Sequence, residues 1–251
     1  MAYRTDRDIE FIGNLPSENL ADLVYVLTHD TDGEKRWTEE ITESGYYKQY
    51  GADYHEYWPL IAAEIQAFGA NTLATMFRGG QGVPYREVAT DVCDKLKVNY
   101  NKSSSIEMIE TNMLMKILSD ALEKMSQKEL NELAESIGVK QKSLITPEAL
   151  MGTFQAIFRA GGFKSYQLTL IVVNGVMKAL LGRGLSFAGN AALTRTMSIL
   201  TGPIGWAITG IWTAVDIAGP AYRVTIPAVI QVAVLRQKYL YEDATKDVEI
   251  A

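Results

Sequence analysis

Two histidines, one cysteine and two glycine-rich runs are the places where this 251-residue chain could hold a metal or a reactive group. His55 follows Asp53 by two positions and precedes Glu56. That Asp-x-His-Glu order lacks the i,i+4 histidine pair with which helical zinc enzymes close a site. The expected role is a polar cluster at a helix start, and His29 gains no better company. Asp30-Thr31-Asp32-Gly33-Glu34 echoes part of a calcium loop but lacks the third acidic ligand and the distal bidentate glutamate, so a solvated turn is expected. Cys93 stands between Asp91 and Asp94. Flanking carboxylates raise a thiol pKa, which argues for a structural thiol and against a nucleophile. Gly161-Gly162-Phe163-Lys164-Ser165 lacks the first glycine of a phosphate loop, and Gly79-Gly80-Gln81-Gly82 follows no strand, as a dinucleotide fingerprint must. No catalytic residue, metal ligand or cofactor is expected, and the chain reads as a non-enzyme.

The elements that carry these residues read as helices throughout. Leu20, Leu23, Val24 and Leu27 recur at helical spacing behind Pro16-Ser17, with Ser17 as the expected cap. A helix interrupted by Gly45 is expected over Trp37 to Gln49. Another over Tyr54 to Phe77 carries an aromatic-aliphatic stripe of Tyr57, Trp58, Ile61, Ile65 and Phe68. Glycines and a proline over 79–84 form a break, and Val88, Val92 and Leu96 trace the next helix. Ser104 with Glu107, and Ser126 with Glu129, match capping boxes, and Thr146-Pro147-Glu148 is a third start. VTIPAVIQVAVL, from Val224, is β-branched enough to keep a strand open as an alternative. The expected class is all-α: a helical bundle with an amphipathic front half and a strongly apolar, Gly-rich helical hairpin in the back half.

Charge divides the chain. Residues 1–165 hold 17 Lys/Arg against 25 Asp/Glu, whereas Tyr166 to Leu235 carry only Lys178, Arg183, Arg195, Asp216 and Arg223. Four regions follow: 1–45, a small helical region; 46–165, an amphipathic bundle; 166–235, apolar Gly-rich helices; and 236–251, a charged tail. Thr196 to Val215 is twenty residues without a charge, and twenty helical residues span about 30 Å, the thickness of a bilayer core. Gly202, Pro203, Gly205 and Gly210 dilute that stretch. Asp216 and Arg223 would have to pair at the tip of a hairpin, since each costs about 2.5–3.5 kcal/mol at mid-membrane. Trp206 and Trp212, six residues apart, do not form one interfacial belt.

The net charge of −6 argues against nucleic acid as a partner, and a lone cysteine fits a reducing compartment. The opening MAYRTDRDIEF has no apolar run, so the expected location is cytoplasmic, and the apolar back half adds a peripheral or facultative place at the inner membrane.

Three stretches carry a resemblance: YRTDRDIEFIGNLPSENLADLV, GANTLATMFRGGQGVPYREVATDVCDKLKV and GPIGWAITGIWTAVDIAGPAYRVTIPAVIQVAVLR. Together they resemble the YaaW-like family of bacterial proteins, described as a short N-terminal domain of unknown function followed by a region likened to ubiquinol–cytochrome c chaperones. The resemblance implies a helical fold and a bacterial origin, and it brings no catalytic residue. Two functions stay open. In the favoured one, the apolar back half associates facultatively with anionic lipid through Trp206, Trp212, Asp216 and Arg223, while the front half shields it or recruits partners. In the alternative, a soluble chaperone-like or assembly factor binds a client protein through the aromatic stripe around Trp58. The oligomeric state is left open.

Overall fold

Thirteen consecutive residues, Val224 to Arg236, are buried, and the other helices arrange themselves around them. The computed structural model describes residues 2–30, 32–36, 40–68, 82–139, 144–186, 194–215 and 222–249, with side chains outside 194–197, 209–215 and 243–249. Ten α-helices lie among the described residues: α1 Ser17–Thr28, α2 Gly45–Tyr50, α3 Trp58–Phe68, α4 Tyr85–Lys95, α5 Ile106–Leu122, α6 Gln127–Ser136, α7 Pro147–Ala160, α8 Gly162–Leu181, α9 Thr194–Val215 and α10 Tyr222–Glu249. Short 3-10 turns, Glu10–Asn14 and Tyr54–Tyr57, precede α1 and α3. No strand occurs among the described residues, so the chain is all-α.

The strand alternative for VTIPAVIQVAVL gives way to α10. Burial on every face outweighs β propensity, which reflects fit to a half-buried pleated surface more than a backbone preference. α10 packs against α8, α1, α4, α5 and α3. Among the described residues α9 lies chiefly along α8, which also packs on α10, and the close pairing of α9 with α10 expected of a hairpin is not seen there. Small residues allow the close approach of α9 to α8. A Cβ on Gly175 would stand 3.0 Å from the Ile204 side chain, and one on Gly205 would lie 3.7 Å from Ala179. Among the described residues, no helix is long and apolar enough to cross a membrane.

Caps decide several helix starts. Ser126 and Glu129 form the complete reciprocal box of α6, and Thr146 accepts the Ala149 amide proton ahead of Pro147 in α7. Two expected caps move. Pro16, not Ser17, precedes α1, because the Ser17 hydroxyl donates to Asp53 and accepts from His55 N. Ser105, not Ser104, caps α5, accepting from Met108 N at 3.4 Å. α2 starts only at Gly45, with Ser44 accepting from Tyr47 N, so the helix expected from Trp37 is confined to its C-terminal part within the described residues. α3 is described as far as Phe68, and the rest of its expected length lies outside the described residues.

Front and back halves interlock. Asp22 of α1 accepts Ser186 N at 2.8 Å and the Ser186 hydroxyl at 2.9 Å, and it pairs with Arg183 at 3.4 Å. Lys238 of α10 donates to Asn19 Oδ1 at 2.5 Å. These contacts cross the boundary at residue 165 that the charge shift suggests.

Candidate functional site

The residues singled out for chemistry stand apart. His29 stacks on Tyr25 with ring centroids 4.4 Å apart, while His55 Nδ1 donates to Leu15 O at 3.1 Å. Asp30 Oδ1 accepts the amides of Asp32 and Glu34 at 3.0 and 2.9 Å, so its carboxylate serves its own turn. Cys93 is buried in α4, and burial, reinforced by Asp94 and Glu110, pushes its thiol up to about 12. Among the described residues, no three His, Cys, Asp or Glu gather around one metal position. Gly161 and Gly162, with φ of +66° and +65°, form the reversal between α7 and α8.

Of the residues singled out for binding, the side chains of Trp58, Trp206 and Arg223 are described, and they stand on three different helices. Trp58 is half-buried, edge-on to Tyr3 at 5.2 Å and closed over Gly13, so it packs the 3-10 turn Glu10–Asn14 onto α3. Trp206 is 68% exposed on the outer face of α9. Arg223 is exposed in the first turn of α10. The side chain of Trp212 and the whole of Asp216 lie outside the described residues.

The deepest polar cluster was not legible beforehand. Arg236 Nε donates to Glu110 Oε2 at 2.8 Å, its Nη2 reaches Glu110 Oε1 at 3.2 Å and Asp8 O at 2.5 Å, and Tyr85 Oη donates to Glu110 Oε1 at 2.7 Å. Phe11 lies under the guanidinium at 4.3 Å. Burial alone would lower the Arg236 pKa, but the Glu110 carboxylate outweighs it and holds the guanidinium above its ordinary range. Burial and Glu110 together keep the Tyr85 hydroxyl protonated. Closed on all sides, this cluster ties α10 to α4, α5 and the N-terminal turn, and it has no face for a substrate.

The open site lies beside it. α5, α7 and the second half of α10 enclose a groove with a cavity volume of about 610 Å³. Met108, Thr111, Asn112, Met115 and Ser119 line its floor from α5; Met151, Gln155, Phe158 and Arg159 form the α7 wall; Gln237, Leu240 and Tyr241 form the α10 wall. Met108 and Leu240 are 50% and 44% exposed. Tyr241 continues the apolar rim through Phe163 at 5.4 Å and Tyr166 at 6.0 Å. Unbranched, polarizable methionine side chains adapt to differently shaped apolar partners, which is why they recur on surfaces that accept several ligands. Lys116 is tied to Asp120 at 2.6 Å. Burial raises the Glu107 pKa, but its own amide, the Ser105 hydroxyl, Arg236 and Arg86 together bring it below the usual range, so it stays ionised. The groove can therefore take a partly apolar guest with polar contacts at its edges, and it offers no nucleophile or metal set. A sequence signal existed: Met108, Thr111 or Asn112, Met115 and Ser119 repeat at helical spacing on the face opposite Ile109, Met113 and Ile117.

Comparison with known proteins supplies the family. The family model described as ubiquinol-cytochrome C chaperone matches residues 53–230, and a domain of unknown function, DUF3944, matches residues 3–37. A UPF0174 protein of Helicobacter pylori strain J99 is 54% identical over 238 residues, which cover 95% of this chain and 94% of the relative. The chain belongs to the UPF0174 family. A second UPF0174 protein of that strain is 45% identical, covering 80% of this chain and 97% of the relative. YaaW of Escherichia coli K12, also a UPF0174 protein, is 31% identical over 94% of this chain and 95% of its own length. No solved structure matches. The chaperone match covers α3 through the first third of α10, hence the α5 floor and the α7 wall of the groove, while the α10 wall lies beyond it.

Proposed function

We propose that the chain is a chaperone or assembly factor that holds an amphipathic helical segment of a partner protein in the groove between α5, α7 and α10. The single observation that carries this reading is an open, methionine-lined groove on an otherwise well-packed helical molecule. Helix-in-groove recognition needs an apolar floor with anchoring positions one and two turns apart, and α5 supplies that spacing through Met108 and Met115. The chaperone description of the matching family supports the same reading. The test is fluorescence anisotropy with a labelled 14-residue amphipathic peptide bearing a leucine stripe. Binding at roughly micromolar Kd is expected, with at least a tenfold loss in Met108→Asp at an unchanged melting temperature. Equal binding by that variant removes the groove from the function.

Trp206 favours a second reading, docking on an anionic lipid surface. It projects from α9, which packs on α8, where Lys178 is also exposed. An interfacial tryptophan and a cation on the adjoining helix suit such docking without any spanning helix. Flotation with vesicles containing anionic lipid tests it: the wild type is expected to float and Trp206→Ser to stay behind. Wild-type protein left at the bottom of the gradient ends this reading.

A further inference from the structure

Building on the groove reading, we infer that the guest helix carries a carboxylate beside its apolar face, and that Arg159 receives it at the corner where α7 turns into α8. The shape argues first for a helix. The α5 floor runs from Ser105 to Ser119, which at 1.5 Å per residue is about 21 Å, the length of roughly fourteen helical residues. The α7 wall runs beside it from Met151 to Arg159, and Leu240 and Tyr241 face it from α10. A trough of this length with walls on two sides matches a cylinder laid lengthwise, its apolar stripe on Met108, Met115 and Met151.

Charge then selects among helices. Three ionised groups line the groove: Glu107, Lys116 and Arg159. Lys116 is occupied by Asp120, and Glu107 is satisfied by Ser105 and its own amide. Arg159 is exposed, and among the described residues it forms no hydrogen bond or ion pair. Lys164, also exposed, follows Gly162 by two positions, so two cations flank the Gly161-Gly162 reversal. The C-terminal end of α7 opposes them with only about half a negative charge. Arg159 and Lys164 thus put two positive charges at this corner of a chain whose total is −6, and Glu242, which acts on Tyr166 there, is paired with Lys238 at 3.6 Å. Guanidinium binds carboxylate through paired N–H donors, a geometry an ammonium lacks, so Arg159 is the selective contact and Lys164 adds field.

The probes are 14-residue capped peptides that share one leucine stripe and carry a single Glu, Gln or Lys near either end, titrated against the full chain. The best Glu peptide is expected to bind about fivefold to tenfold tighter than its Gln counterpart in low salt, and the gap should close by 0.5 M NaCl. Arg159→Gln should erase the gap, and Arg159→Glu should turn preference toward the Lys peptide. Arg159 is on the surface, so unchanged melting temperatures are expected for both variants. Glu and Gln peptides binding within twofold on the wild type, with both lost in Met108→Asp, would overturn the carboxylate while leaving the groove in place. Failure of every peptide to bind would take down the groove reading and this inference together. Two other occupants are visible in the same experiment and would also overturn it: dodecanoate outcompeting every peptide, or a dimer in sedimentation that Met108→Asp dissociates.

Discussion

Arg236 lies in the last third of the chain, yet its guanidinium sits against Asp8, Phe11, Tyr85 and Glu110. Removing one member of a buried ion pair leaves the other charge without compensation, at a cost of about 3–5 kcal/mol, whereas replacing both by apolar groups is far cheaper. Arg236→Met should therefore lower the urea midpoint sharply, and Arg236→Met with Glu110→Leu should recover much of the loss. An equal midpoint for the single and double variants would show that the pair is not coupled. Trp58→Ala should cost about 3 kcal/mol in the same assay, because the ring packs on Tyr3 and over Gly13. Cys93 gives a pH signature. Its thiol loses a proton near 8.5 in the unfolded chain and at about 12 in the folded one, so between those values only the unfolded state is deprotonated. Stability should fall with rising pH through that window, by at most about 1.4 kcal/mol per unit from this group. Iodoacetamide at pH 8 should label Cys93 in urea and spare it in the native protein, as mass spectrometry can read.

Helix starts separate what is legible from what is not. Ser126-x-x-Glu129 and Thr146-Pro147-Glu148 work as read, because every partner lies within one turn. Ser17 and Ser104 mislead for a spatial reason: the Ser17 hydroxyl is taken by Asp53 and His55 from a distant segment, and the carbonyl of Ser104 is held by Arg86 at 2.7 Å. Ser105→Ala should cost about 1 kcal/mol in thermal unfolding, and Ser104→Ala almost nothing; the reverse order would contradict the observed cap. Helix content was readable because burial on one or all faces leaves its period in the sequence. Partner choice was not. Nothing local reports that α9 lies on α8 instead of α10, since both are apolar enough to accept it. The groove fell between the two cases: its methionine spacing is in the sequence, but its walls come from helices up to about 130 positions apart and only folding makes them adjacent.

For the whole molecule, the charge shift near residue 165 marks a change of depth more than a seam. Helices α8 and α10 supply the interior against which α1, α3, α4 and α5 pack. A fragment ending at Ser165 is expected to keep helical circular dichroism yet lose the cooperative thermal transition of the full chain, because its apolar faces have no cover. A sharp transition in that fragment would mean the front half folds by itself.

The long reach from α10 back to Asp8, Asn14 and Asn19 has a consequence for biosynthesis. The ribosome delivers the N-terminal turn and α1 well before the helix that clasps them. Until Arg236 and Lys238 emerge, the nascent segment presents greasy surfaces without a lid, and the knot can be tied only after residue 238 has been made. Those surfaces need cover for the whole interval between synthesis of α1 and of α10.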